Sequence, residues 1–272
     1  MKLGTLVKPL LFSGLFLAGP VMAAPSAQQV LAASPVDDIV ERYPAMMSEG
    51  IREGLKRNQQ LPPMVADTIG FVVTNSFSAV DIEQQIVENL EQDLSGNQLE
   101  EVENWYKTPV AQKISAAEIA ASDPAAWQQI QSRAMELNRK YNGTDRSRMF
   151  ERFDRASRAT ESTVDTTIAV QLGLASAMAA FSSDSDNYDQ LRQSIENQRE
   201  TIRGVVEQQV YDSYLHTYEN ISSQEMGLYI DFLESGAGAA FSKTVTGSIQ
   251  QAITEPVESI GSQLARFLSP QK

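Results

Sequence analysis

Residues 94–114 read LSGNQLEEVENWYKTPVAQKI, and 127 positions later residues 221–241 read ISSQEMGLYIDFLESGAGAAF. A serine opens each stretch as a helix cap, Ser95 in the first and Ser222 in the second. Such a hydroxyl accepts from a backbone N–H that the first turn would otherwise leave unpaired. Gln98 lies three residues after Ser95, the spacing of a capping box. Leu99, Val102, Trp105 and Tyr106 line up with Met226, Tyr229, Phe232 and Leu233, apolar positions at helical spacing. Each stretch then breaks, at Thr108-Pro109 or at Ser235-Gly236, and starts a helix of small residues. The unit is a helical corner, and it appears twice.

The remaining chain reads as helix on either side of these corners. Ser34-Pro35 opens a helix striped by Val36, Val40, Tyr43, Met47, Ile51 and Leu55, with a kink or restart expected at Pro44. Pro62-Pro63 ends it, and residues 64–75 form a short apolar helix. Val80, Ile86, Val87, Leu90 and Leu94 mark the next helix, and Asp123-Pro124 starts one that stops at Asn142-Gly143. Two long helices are expected, over 144–181 and 188–218, with a turn at 182–187. In the first of these, Asp165 and Gln171 interrupt the apolar run from 164 to 181, which makes it a core helix and not a membrane span. The last helix carries Phe241, Val245, Ile249 and Ile253, and Pro256 should bend or split it. Nothing alternates with period two, so the fold class is all-α. The architecture expected is a helical bundle of two similar halves, with two long helices and short helical corners.

The first 23 residues have the form of a secretory signal: Lys2 and Lys8, a short apolar run over 10–18, a break at Gly19-Pro20, then Val21-Met22-Ala23. Cleavage after Ala23 would leave 249 residues and lower the net charge from −13 to −15. That predicts a periplasmic or secreted protein with no stable membrane insertion after signal removal. So acidic a surface argues against nucleic acid and anionic membrane as partners. The chain has no cysteine, so neither a lipid anchor nor a disulfide supports it. The expected organisation is a signal peptide at 1–23, a flexible segment at 24–34, a first helical half at 35–122, connecting helices at 123–162 and a second half at 163–268.

The capped helix, aromatic pair, Ser/Thr-Pro or Ser-Gly break and small-residue helix resemble the domain-of-unknown-function 2059 family of exported helical bacterial proteins. The matching residues are LEEVENWYKTP at 99–109 and MGLYIDFLESGAG at 226–238. By that resemblance the second stretch is the closer one. Gly238 stands where the family commonly has glycine, and the first stretch has Ala111 there. The resemblance brings no catalytic residues with it.

The chemistry-bearing residues are sparse. His216 is the single histidine, which removes a two-histidine metal site and all but the simplest histidine-based catalysis. Gly236-Ala237-Gly238 lacks the preceding strand of a phosphate loop and reads as a helix–helix turn. Asp184, Asp186 and Asp189 have part of a calcium-loop spacing, but Asp189 holds the position that needs glycine, so they read as helix-start acids. No catalytic residue, cofactor site or metal site is assigned.

Two sets of contact residues stand out. Trp105 and Tyr106 point about 100° apart on a helix, so one can enter the core while the other reaches an edge. Arg148, Arg152 and Arg155 share one face of a locally basic stretch over 133–158, suited to an anionic partner, to the acidic rest of the chain, or to pairs such as Asp154 with Arg158. The function expected is non-enzymatic interaction or binding in the bacterial envelope, the partner being an envelope protein. A carrier or sensor of a small apolar ligand is the alternative, and a carboxylate-based hydrolase the third reading.

Overall fold

Ser26 closes a capping box with Gln29, accepting from the Gln29 N–H while the Gln29 side chain accepts from the Ser26 N–H. This nucleates α1 (Ala27–Ala33), in the segment expected to be loose. The physical reason is burial: Ala27, Val30 and Leu31 fall on one face and are all fully buried. The computed structural model describes residues 24–57, 78–182 and 186–268 of the chain. The proposed signal and the expected helix at 64–75 lie outside them.

Twelve α-helices and no strand occur among the described residues. After α1 come α2 (Val36–Arg57), α3 (Ala79–Asp93), α4 (Gly96–Tyr106), α5 (Pro109–Ala121) and α6 (Pro124–Tyr141). Then follow α7 (Asp145–Ser157), α8 (Ala159–Ser182), α9 (Asp186–Asn197), α10 (Arg199–Thr217), α11 (Ser223–Glu234) and α12 (Gly236–Leu268). The protein is all-α, as the periodicity predicts.

Both expected long helices are broken. The first divides at Arg158, whose φ of 58° is left-handed. Asp154 does not pair with Arg158 there; its Oδ1 accepts from the Thr160 N–H at 2.7 Å and so caps the new helix. The break has a packing consequence: Phe153 joins one buried cluster, and Val164 and Ile168 join another. The second divides at Gln198, whose N–H closes a turn onto the Ile195 carbonyl. The prolines act less strongly than expected. Pro44 lies within α2 and Pro256 within α12, and neither ends its helix. In α3 the buried residues are Ile82, Ile86 and Leu90, while Val80 is exposed, so the true stripe starts two residues later than expected.

Three buried clusters hold the bundle. The first gathers α1 to α4 with Ala237, Phe241 and Val245 from the start of α12. The second gathers Ile114 of α5, Leu137, Phe153, the end of α10 and α11. The third lies along α8 to α10, where Glu161 and Asp165 bind Arg199, and Glu161 also binds Arg203. These clusters cross the sequence division at 35–122 and 163–268. Val110, Ile114 and Glu118 of α5 pack with the end of α10 and with α11, while α12 packs along α8 and, at its start, back onto α3 and α4. Each corner therefore lends its second helix to the other's core.

Candidate functional site

The two corners meet through aromatic rings. Trp105 of α4 stacks on Phe232 of α11, with centroids 4.7 Å apart and planes 10° apart. On its other neighbour, Tyr229, the centroid distance is 6.2 Å at 2°. Tyr106 meets Phe232 and Phe241 edge-on, at 5.8 and 5.7 Å. Trp105 and Phe232 border both the first and the second buried cluster, so this seam joins them. Tyr106 is the core member of the expected pair and Trp105 the edge member. The Trp105 indole N–H is itself buried and unpartnered.

Behind the seam lies a residue that periodicity did not single out. Glu118, near the end of α5, accepts at Oε1 from the Tyr218 hydroxyl at 2.6 Å and from the Tyr229 hydroxyl at 2.8 Å. The residue keeps some surface, but its carboxylate is enclosed among phenols. Burial pushes its pKa up from the ordinary carboxylate value, and the two phenol hydrogen bonds offset part of that. The same enclosure, with Glu118 beside them, pushes Tyr218 and Tyr229 well above the usual phenol range. One sequence signal was available: the offset that aligns the two corners sets Glu118 against Val245, a core residue.

An open cleft of about 550 Å³ adjoins the segment that follows Tyr218. Its walls are Lys113 of α5, the α6–α7 junction around Lys140 and Arg146, and the segment 219–225. Arg146 is almost fully buried. Its Nη1 donates to the Tyr218 carbonyl at 2.6 Å and its Nη2 to the Ile221 carbonyl, and its guanidinium lies over the Tyr141 ring. It thus satisfies carbonyls just past the end of α10, where a positive charge also suits the helix dipole. Lys113 Nζ donates to both Glu225 oxygens at 2.9 Å. Lys140 and Arg133 both hold Glu219.

The electrostatics of the cleft and the junction run in opposite directions. Hydrogen bonds from Arg133 and Lys140 pull Glu219 down to about 2. Lys113, followed by the Ser222 N–H, pulls Glu225 down to about 2. His216, half-buried, is lowered by burial and by Arg133, with Glu219 opposing, and its Nδ1 is buried without a partner. Among the described residues no group of His, Cys, Asp or Glu could hold a metal ion.

The three arginines do not converge. Arg148 binds Asp145 and the Gly143 carbonyl. Arg155 sits 3.5 Å from Glu151 within α7. Arg152 alone reaches across, to Asp231 and Glu234 of α11. The basic face is thus largely engaged by acids of the chain itself, one of the uses its spacing suggested. Sequence reasoning missed Glu118, Lys113 and Arg146, because their roles depend on what α10 and α11 bring to them.

Among known families, a model described as an uncharacterized protein conserved in bacteria (DUF2059) matches residues 80–140. Residues 80–140 are similar to that family. The matched stretch runs through α3, α4, α5 and α6 and contains Trp105, Tyr106, Lys113, Glu118 and Lys140. The second stretch, which the resemblance ranked higher, lies outside the matched residues. No curated protein and no solved structure gave a match. No helix of the described residues is long and apolar enough to cross a membrane.

Proposed function

We propose that this chain is an exported, non-enzymatic binding protein of the bacterial envelope, and that it receives a small polar ligand in the cleft between its two corners. The observation that carries the reading is the make-up of that cleft. Its lining combines Lys113 of the first corner, Ser222, Ser223 and Glu225 of the second, and the buried Arg146. The lining carries both signs of charge together with hydroxyl and amide groups, which suits a ligand with both charged and hydrogen-bonding groups better than an apolar one. This favours a polar ligand over the small apolar ligand of the alternative reading. The two corners are, on this reading, copies of one ancestral unit, and the cleft arises where they meet. The signal-like first 23 residues and the acidic chain support an address in the periplasm.

Native mass spectrometry of protein isolated from its own envelope tests the reading. The expected result is a retained polar molecule on the wild type that is lost in Ser223→Trp, which fills the cleft mouth from an exposed position. Equal retention in both, or an empty wild type, would overturn it.

A further inference from the structure

Tyr218 is bonded at both ends. Its hydroxyl donates to Glu118, and its carbonyl accepts from Arg146, a buried residue that lines the cleft. The Ile221 N–H also donates to the Tyr218 carbonyl at 2.9 Å, closing the turn that forms the cleft wall. Tyr218 thus links the Glu118 carboxylate to that wall.

Three of the elements around Glu118 put a phenol against it. Tyr218 comes from the end of α10, Tyr229 from α11, and Tyr106 from α4. All three are uncharged phenols. From α2, Arg42 approaches the next residue along α5, but its guanidinium donates to the Ile119 carbonyl at 2.6 Å and to Ser122. The carboxylate thus ionises among neutral donors, with no ion pair of its own in that set. The other corner shows that the position does not need an acid. Val245 stands opposite Glu118 in the alignment, and Val102 opposite Tyr229, and both valines are buried in the first cluster. An apolar pair builds the same corner there, so a carboxylate here costs stability that the fold does not require.

We propose that Glu118 is a proton-operated latch: protonated, it holds α5 against Tyr218 and Tyr229, and ionised, it loosens the 218–222 segment that walls the cleft. The sign follows from burial. A carboxyl whose folded pKa is raised contributes stability that is fully present below its unfolded pKa and is lost as pH rises through its folded pKa. Acidification tightens the junction. The inference concerns the wall itself and stands whether or not a ligand is found in the cleft.

The test is hydrogen exchange of the 218–222 amides, with urea midpoints, on the full mature chain at about pH 5 and about pH 8. Glu118→Gln keeps an acceptor for both phenols and cannot ionise. At the lower pH, wild type and Glu118→Gln should exchange alike. At the higher pH the wild-type segment should exchange severalfold faster than that of Glu118→Gln, and its urea midpoint should fall below that of the variant. Glu118→Val should lie below Glu118→Gln by a similar amount at both pH values, since it strips the phenols of their acceptor and, like Gln, cannot ionise. Wild type and Glu118→Gln differing by the same factor at both pH values, or not at all, would overturn the latch.

Discussion

Ser95 and Ser222 close the same capping box, yet the corner beginning at Ser95 pairs it with neutral Gln98 and the corner beginning at Ser222 with ionised Glu225. The difference spreads from there. Gln98 reaches weakly to the Gly236 carbonyl at 3.5 Å, whereas Glu225 is gripped by Lys113. Past the break, Ala111 stands in one corner and Gly238 in the other, and further on Glu118 answers Val245. The backbone solution is common to the two corners, and their side-chain chemistry is not. Polar groups accumulate on one side, where α5 meets α10 and α11; the side where α12 meets α3 and α4 is mostly apolar.

The sharpest way to break this comparison is at the glycine. A Cβ on Gly238 would sit 2.0 Å from the Phe232 carbonyl oxygen, a backbone atom that cannot step aside. Gly238→Ala should therefore destabilise by about 3 kcal/mol in urea unfolding. The matching change, Ala111→Gly, should cost about 1 kcal/mol, the helix-propensity difference. Equal effects would mean that the second corner is no tighter than the first.

Removing Arg146 probes the polar side. Arg146→Met leaves the Tyr218 and Ile221 carbonyls without their charged donor and should cost about 2 kcal/mol. Salt should change this cost little, because the group is buried.

The caps give smaller effects. Ser95→Ala and Ser222→Ala should each cost about 1 kcal/mol. The Ser222 variant should lose part of its effect in high salt, because its box contains the Lys113–Glu225 pair. The acid limb of the stability profile sharpens the contrast further. Glu219 and Glu225 have depressed folded pKa values of about 2, so their contribution is present above the ordinary glutamate value and is lost as pH falls toward about 2. Glu118 works in the opposite direction. Glu225→Gln should flatten the acid limb, and a profile unchanged by it would remove the assigned role of that pair.

Much of this bundle was legible in order, and little of it in space. Caps, breaks and apolar spacing located α4, α5, α6 and α11 closely, because those signals are local. The segment at 27–33 looked loose because it is short and mixed, and only tertiary burial of Val30 and Leu31 makes it a helix. The break at Arg158 was hidden because the apolar stripe runs through it without glycine or proline; a side-chain cap from Asp154 makes the break. The aromatic pair was visible, and its partner Phe232 had already been aligned with Trp105, but alignment does not reveal that two positions touch. Glu118 looked like one more acid in an acidic chain. Its setting comes from Tyr218 and Tyr229, about a hundred residues further on.

The account rests on the two corners meeting through the Trp105–Phe232 stack. A double-mutant cycle with Trp105→Ala, Phe232→Ala and the pair, read by urea unfolding, measures that contact directly. The predicted coupling is about 1 kcal/mol, within the range for stacked aromatic pairs. Additivity to within about 0.3 kcal/mol would show that the rings do not support one another and would contradict the seam.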